Sequence, residues 1–170
     1  VGDVINFTLI ASSNQGAEIL AGAAGAAVRA KYPSAPASKP TLWRMNTLVQ
    51  DLQISHTYFL NVSGLDESVT QSGAYGSARD MAHLFAYAAS NFPHIFSGTA
   101  ENGVLLTSDG GASTSAFNTN EALDQIPGLI MGKTGFTDLA GGNLAVVFDV
   151  GLAHPVAVVV LGSSIDGRFT

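Results

Sequence analysis

The sequence predicts a mixed α/β chain in an α+β arrangement, with a helical cluster packed on a mostly antiparallel sheet. Three observations lead there. Apolar residues recur at helical spacing over 42–52 and 78–90, after an apolar segment at 4–10 and an alanine-rich one at 16–31. Valine-rich runs crowd the C-terminal part, separated by turn residues too few to hold a crossover helix. Hydrophobic residues make up 46% of the 170 and charged residues 12%, enough apolar surface for one ordinary domain with a core and unlike a disordered tail.

The elements follow in order. Residues 4–10 form an apolar segment that could be one buried helix, with Asp3 as its N-cap. The polar cluster Ser12-Ser13-Asn14 ends it. A second helix fits residues 16–31, alanine-rich and nearly uncharged, as suits close packing on several sides. Pro33 and Pro36 stop it, and residues 34–40 read as loop. Thr41 can cap a third helix over 42–52, where Leu42, Met45, Leu48, Val49 and Leu52 share a face. Residues 56–75 read as irregular. Ser77 can cap a fourth helix over 78–90, with Met81, Leu84, Phe85 and Ala88 on one face. Residues 92–125 read as loop apart from a strand at 103–107. Apolar runs at 129–131, 142–150 and 156–161 then predict an antiparallel meander, covered by helices. The expected division is a helical part over about 1–125 and a sheet part over about 126–170, together one catalytic domain in part.

A net charge of -6 and a pI near 4.9 argue against a nucleic-acid partner. With no cysteine, disulfides, thiolate metal sites and a cysteine nucleophile are excluded. The four histidines show no close ligand pair, so neither a metal nor another cofactor is expected. No apolar stretch reaches the ~18 residues a membrane span needs. The apolar start at Val1 reads as that of a mature or truncated piece, and a membrane anchor is expected only outside this chain.

Two short motifs carry the chemistry. Lys133-Thr134-Gly135 places an ammonium beside a hydroxyl, with a glycine that allows close backbone approach, a combination suited to a carboxylate. Ser12-Ser13-Asn14 has the form S-x-N, a hydroxyl that can pass a proton and an amide that can hold a carbonyl. It could equally cap the helix that follows. Further blocks accompany them: Thr57, Phe59 and Asn61 with Gly64-Leu65-Asp66; Ser77-Ala78-Arg79-Asp80-Met81-Ala82; Phe136-Thr137 after the lysine motif, with Ala140-Gly141 and Asn143-Leu144-Ala145; and Leu161-Gly162, Ser163, Asp166 and Arg168. In this order the set resembles the serine-type D-alanyl-D-alanine carboxypeptidases, the low-molecular-weight penicillin-binding proteins, over almost the whole chain.

The resemblance implies a β-lactamase/transpeptidase-like fold, incomplete at its N-terminus. It implies hydrolysis, through a serine acyl-enzyme, of the terminal D-Ala of peptidoglycan stem peptides outside the cytoplasm, with β-lactams as inhibitors of the intact enzyme. By the same resemblance Ser12 relays a proton, Asn14 binds the peptide side, and Lys133 supplies charge. Thr134 then meets the terminal carboxylate, with Gly135 beside it. The backbone N–H of Phe136 forms half of an oxyanion hole. Arg168 is a second carboxylate contact or an ordinary surface charge. The family's S-x-x-K motif is not in this sequence: Val28, Pro36 and Ile130 stand three residues before Lys31, Lys39 and Lys133. The chain alone is therefore expected to form no acyl-enzyme. A peptidoglycan-binding pseudoenzyme is the main rival, and a β-lactamase or an endopeptidase a related one. A phosphate-binding loop at Gly132-Lys133-Thr134 fails, because Pro127 stands where its first glycine belongs.

Overall fold

A computed structural model describes residues 1–170. The chain opens with two helices joined by a tight elbow, α1 (Gly2–Ile10) and α2 (Asn14–Lys31). Helix α3 (Pro40–Asp51) packs on α2. A two-residue ladder follows, β1 (Tyr58–Phe59) against β2 (Ala74–Tyr75). Then come α4 (Ala78–Asn91), the single turn α5 (Pro93–Phe96), and a hairpin of β3 (Gly103–Thr107) and β4 (Ser113–Phe117). The chain closes with β5 (Leu129–Thr137), β6 (Gly141–Asp149) and β7 (Pro155–Ser163), an antiparallel sheet with β6 in the centre. Helices first and an antiparallel meander last is the predicted order.

Several local expectations need correction. Asp3 does not cap α1: the helix starts at Gly2, two residues earlier than expected, after Val1 and with no side-chain cap. Thr41 does not cap α3. The helix begins at Pro40, whose fixed φ suits a first turn, after Lys39 in the left-handed region at φ 53°. Freed from capping, the Thr41 hydroxyl donates to the Ala21 carbonyl at 2.7 Å and ties α3 to α2. Ser77 does cap α4, accepting from Asp80 N. The stretch 92–125 holds more than a strand at 103–107, because Ser113–Phe117 pairs with it residue for residue. That second strand is too polar to announce itself by alternation. The first strand of the meander, expected from the apolar run at 129–131, runs on to Thr137, so Lys133 lies mid-strand opposite Ala145.

Leu144, Ala145, Val146 and Val147 on β6 are all buried, so the central strand is covered on both faces. Helix α4 packs on β6 and β7, and the 3-10 turn Ser97–Ala100 packs on β5. Coverage is incomplete at β7. Val156, Val158 and Val160 alternate outward at 39%, 42% and 38% exposure, so the expectation of a sheet fully covered by helices holds at β6 and fails there. Asp80, at the start of α4, accepts from the His56 N–H at 2.8 Å and the Thr57 hydroxyl at 3.0 Å. Burial pushes its carboxyl up, but these bonds outweigh that and hold it below its usual value. They fasten the start of the irregular segment to α4. No helix is long and apolar enough to cross a membrane.

Candidate active site

The elbow between α1 and α2 is the first wall of the site. Helix α1 ends at Ile10 with Ala11 as its C-cap, and Ser12 turns the chain with φ 55°, a left-handed conformation that is uncommon away from glycine. Ser13 then caps α2, its Oγ accepting from Gly16 N at 3.1 Å. Capping thus falls to the middle residue of Ser12-Ser13-Asn14. Ser12 and Asn14, on either side of it, line the cleft.

Strand β5 is the opposite wall. Lys133 Nζ donates to Ser12 Oγ at 2.6 Å, a contact between residues 121 apart in sequence. It also donates to the Thr134 carbonyl at 2.8 Å. Burial, and then the Arg168 guanidinium nearby, lower its pKa from 10.5 to about 8. Near that pH the amine can hold a positive charge or take a proton from the Ser12 hydroxyl. Arg168, in the 3-10 turn Gly167–Phe169, donates from Nη1 to the Gly135 carbonyl at 2.7 Å and lies 4.7 Å from the Phe169 ring. Its Nε is buried with no protein partner.

These elements enclose a cleft of about 790 Å³. Ser12, Asn14, Lys133, Thr134, Gly135, Phe136 and Arg168 all line it, so the structure brings together every site residue expected from sequence. Two cationic side chains, two hydroxyls and an exposed amide around one hollow suit an anionic ligand with a peptide attached. Phe136, 49% exposed, together with Leu65 and Leu139 adds an apolar rim. No three His, Asp or Glu side chains converge to hold a metal.

Two further lining residues have no role that the sequence motifs assign. Asp66 fastens the β5–β6 turn to the loop after β1. Its Oδ1 accepts from the Thr137 hydroxyl at 2.9 Å and its Oδ2 from Leu139 N at 3.2 Å. Asp66 stands in the Gly64-Leu65-Asp66 block, but nothing local says that its partner lies 71 residues away. Asp66→Ala is expected to cost about 1 kcal/mol, since hydrogen bonds to a half-exposed carboxylate are lost. Urea unfolding checks the cost, and faster amide exchange at Leu139 should accompany it. The other is Thr119, whose hydroxyl lies 2.5 Å from that of Thr134.

The family model for D-alanyl-D-alanine carboxypeptidase (peptidase S11) matches residues 1–164. This chain belongs to that family. It is 36% identical over 100 residues to the D-alanyl-D-alanine carboxypeptidase DacB2 of Mycobacterium tuberculosis, covering 59% of this chain and 33% of that one. Against the D-alanyl-D-alanine carboxypeptidase DacA of Escherichia coli it is 30% identical over 124 residues, 73% of this chain and 29% of that one. The chain thus spans about a third of the length of these curated relatives. Penicillin-binding protein D2 of Listeria monocytogenes, solved in cefotaxime-bound and ampicillin-bound forms, superposes with TM-score 0.78 at 28% identity. In the cefotaxime-bound form the match covers 98% of this chain and 61% of that one. The fold is that of the penicillin-binding proteins and DD-peptidases, as the resemblance implied.

Proposed function

We propose that this chain supplies the S-x-N and K-T-G walls of a serine D-Ala-D-Ala carboxypeptidase, and that the complete enzyme removes the terminal D-Ala from peptidoglycan stem peptides outside the cytoplasm. The observation that carries this reading is the Lys133–Ser12 hydrogen bond at 2.6 Å, which joins the two motifs across one cleft. Membership of the family supports it.

In this reading a serine outside these 170 residues attacks the carbonyl of the penultimate D-Ala. Its Oγ–C bond forms, the C–N bond to the terminal D-Ala breaks, and water later cleaves the ester. Ser12 and Lys133 pass the nucleophile's proton to the leaving amine. Asn14 holds the peptide side. Thr134 and Arg168 receive the terminal carboxylate, with the Arg168 guanidinium steadied by the Gly135 carbonyl. The Phe136 N–H gives half of the oxyanion hole. β-Lactams occupy the same cleft, as the ligands of the Listeria relative suggest.

A fluorescent penicillin tests the proposal. Protein expressed from the complete reading frame is expected to be labelled, and its Lys133→Ala variant labelled at least about a hundredfold more slowly, as follows from losing a proton-transfer partner. The 170-residue chain alone, without S-x-x-K, is expected to take no label. An unlabelled complete protein that still binds D-Ala-D-Ala peptides would replace the enzyme by a peptidoglycan-binding pseudoenzyme.

A further inference from the structure

We propose that Thr119 is a positioning residue for carboxylate recognition, setting the direction in which the Thr134 hydroxyl points its proton. The inference rests on the carboxypeptidase reading and deepens it. Thr134 is buried, and the only side chain its hydroxyl meets is Thr119, at 2.5 Å. A hydroxyl has one proton to donate, and a carboxylate can only accept. For Thr134 to bind a carboxylate in the cleft, its proton must point there. The bond between the two threonines must then be made with the proton of Thr119. Thr119 therefore donates to Thr134, and Thr134 donates to the ligand. Hydroxyls linked in this way strengthen one another's donation.

The backbone around Thr119 is held for this task. Its N–H donates to the Ile10 carbonyl at 3.3 Å, at the end of the helix that leads into Ser12. On one side, the Asn118 amide donates to the carbonyls of Thr99 and Glu101, both at 2.9 Å. On the other, buried Asn120 accepts from Ala122 N at 3.1 Å through Oδ1. The Thr119 hydroxyl is thus placed before any ligand arrives, so the ordering cost of binding is reduced.

The test is a titration of the chain with a peptide ending in D-Ala-D-Ala and with the same peptide ending in a carboxamide. Thr119→Val keeps the shape and removes the hydroxyl; Thr119→Ser keeps the hydroxyl. The wild type is expected to prefer the carboxylate. Thr119→Val should weaken carboxylate binding about tenfold, the scale of one hydrogen bond to a charged group, and leave the carboxamide within about twofold. Thr119→Ser should restore wild-type behaviour. If the valine variant does not fold, Thr119→Ala removes the same hydroxyl with less steric demand and is read in its place. A hydroxyl-free variant that keeps the full carboxylate preference overturns the inference and leaves the carboxypeptidase reading intact. Equal weakening toward both peptides also overturns it, since that is what a merely structural role predicts. A wild-type chain with no carboxylate preference overturns the reading itself, and the inference falls with it.

Discussion

The free energy of unfolding is expected to rise by about 3 kcal/mol between roughly pH 8 and pH 10.5, and Lys133→Met is expected to abolish that rise. The cause is the Lys133 ammonium, whose pKa falls from 10.5 to about 8 on folding, first through burial and then through Arg168. The sign follows from proton counts. Between these two values the unfolded chain keeps a proton on Lys133 that the folded chain has released, so raising the pH favours folding. Below pH 8 both states are protonated, and the folded state bears the full cost of an ammonium drawn out of water. At 1.36 kcal/mol per pH unit, a fall of about 2.5 gives the stated size. Methionine has a similar length and no charge to desolvate, so the variant should be at least as stable as the wild type at pH 7, despite losing the bond to Ser12. Urea titrations of both proteins at several pH values measure this, and the difference between them isolates Lys133 from other groups that titrate in the same range. Parallel pH curves would show that Lys133 keeps its ordinary pKa in the folded chain. A site residue whose removal stabilises the protein is one retained for what it does in the cleft.

The sequence is legible where one residue's neighbours are also its partners. Helices α3 and α4 follow from the apolar faces at Leu42, Met45 and Val49 and at Met81, Leu84 and Phe85, since periodicity is a local property. The Ser77 cap lies three residues from its donor and is legible for the same reason. Strand β4 is not, because Ser113-Thr114-Ser115 has no apolar alternation and becomes a strand only through its pairing with β3. The site divides in the same way. Lys133-Thr134-Gly135 and Ser12-Ser13-Asn14 stand out as motifs, and the family blocks around them imply one cleft. What those motifs do not encode is the geometry that makes the cleft rigid. The left-handed turn at Ser12, the clamp from Asp66 to Thr137 and the meeting of Thr119 with Thr134 each depend on elements distant in sequence and adjacent in the fold. Residue types alone also misplace roles. Of the three polar residues at the elbow, any could be the helix cap, and only the backbone conformation assigns that to Ser13.

Gly16→Ala is expected to destabilise the chain by about 2 kcal/mol, although the same change normally strengthens a helix. The position lies in the first turn of α2, where α1 crosses closest. A Cβ there would stand 2.1 Å from Thr8 Oγ1 and 3.0 Å from Thr8 Cβ. Thr8 has little room to yield, because its hydroxyl already donates to the Val4 carbonyl at 2.6 Å and its branched Cβ restricts χ1. Further along the same helix, a methyl added at Gly22 would meet nothing within 4 Å, so Gly22→Ala is expected to stabilise by about 0.5–1 kcal/mol. The opposite signs separate helix propensity from close approach, and thermal or urea unfolding of the two variants reads them directly. Thr8→Ala in the Gly16→Ala background should recover part of the loss, a coupling that a purely local effect at Gly16 would not produce. The consequence reaches the cleft. Ser12 and Asn14 sit on the elbow beside this crossing, where the Ser12 hydroxyl accepts from Lys133. Widening the crossing is expected to shift the elbow and lengthen that bond, so Gly16→Ala should weaken the link between the two motifs as well as the fold.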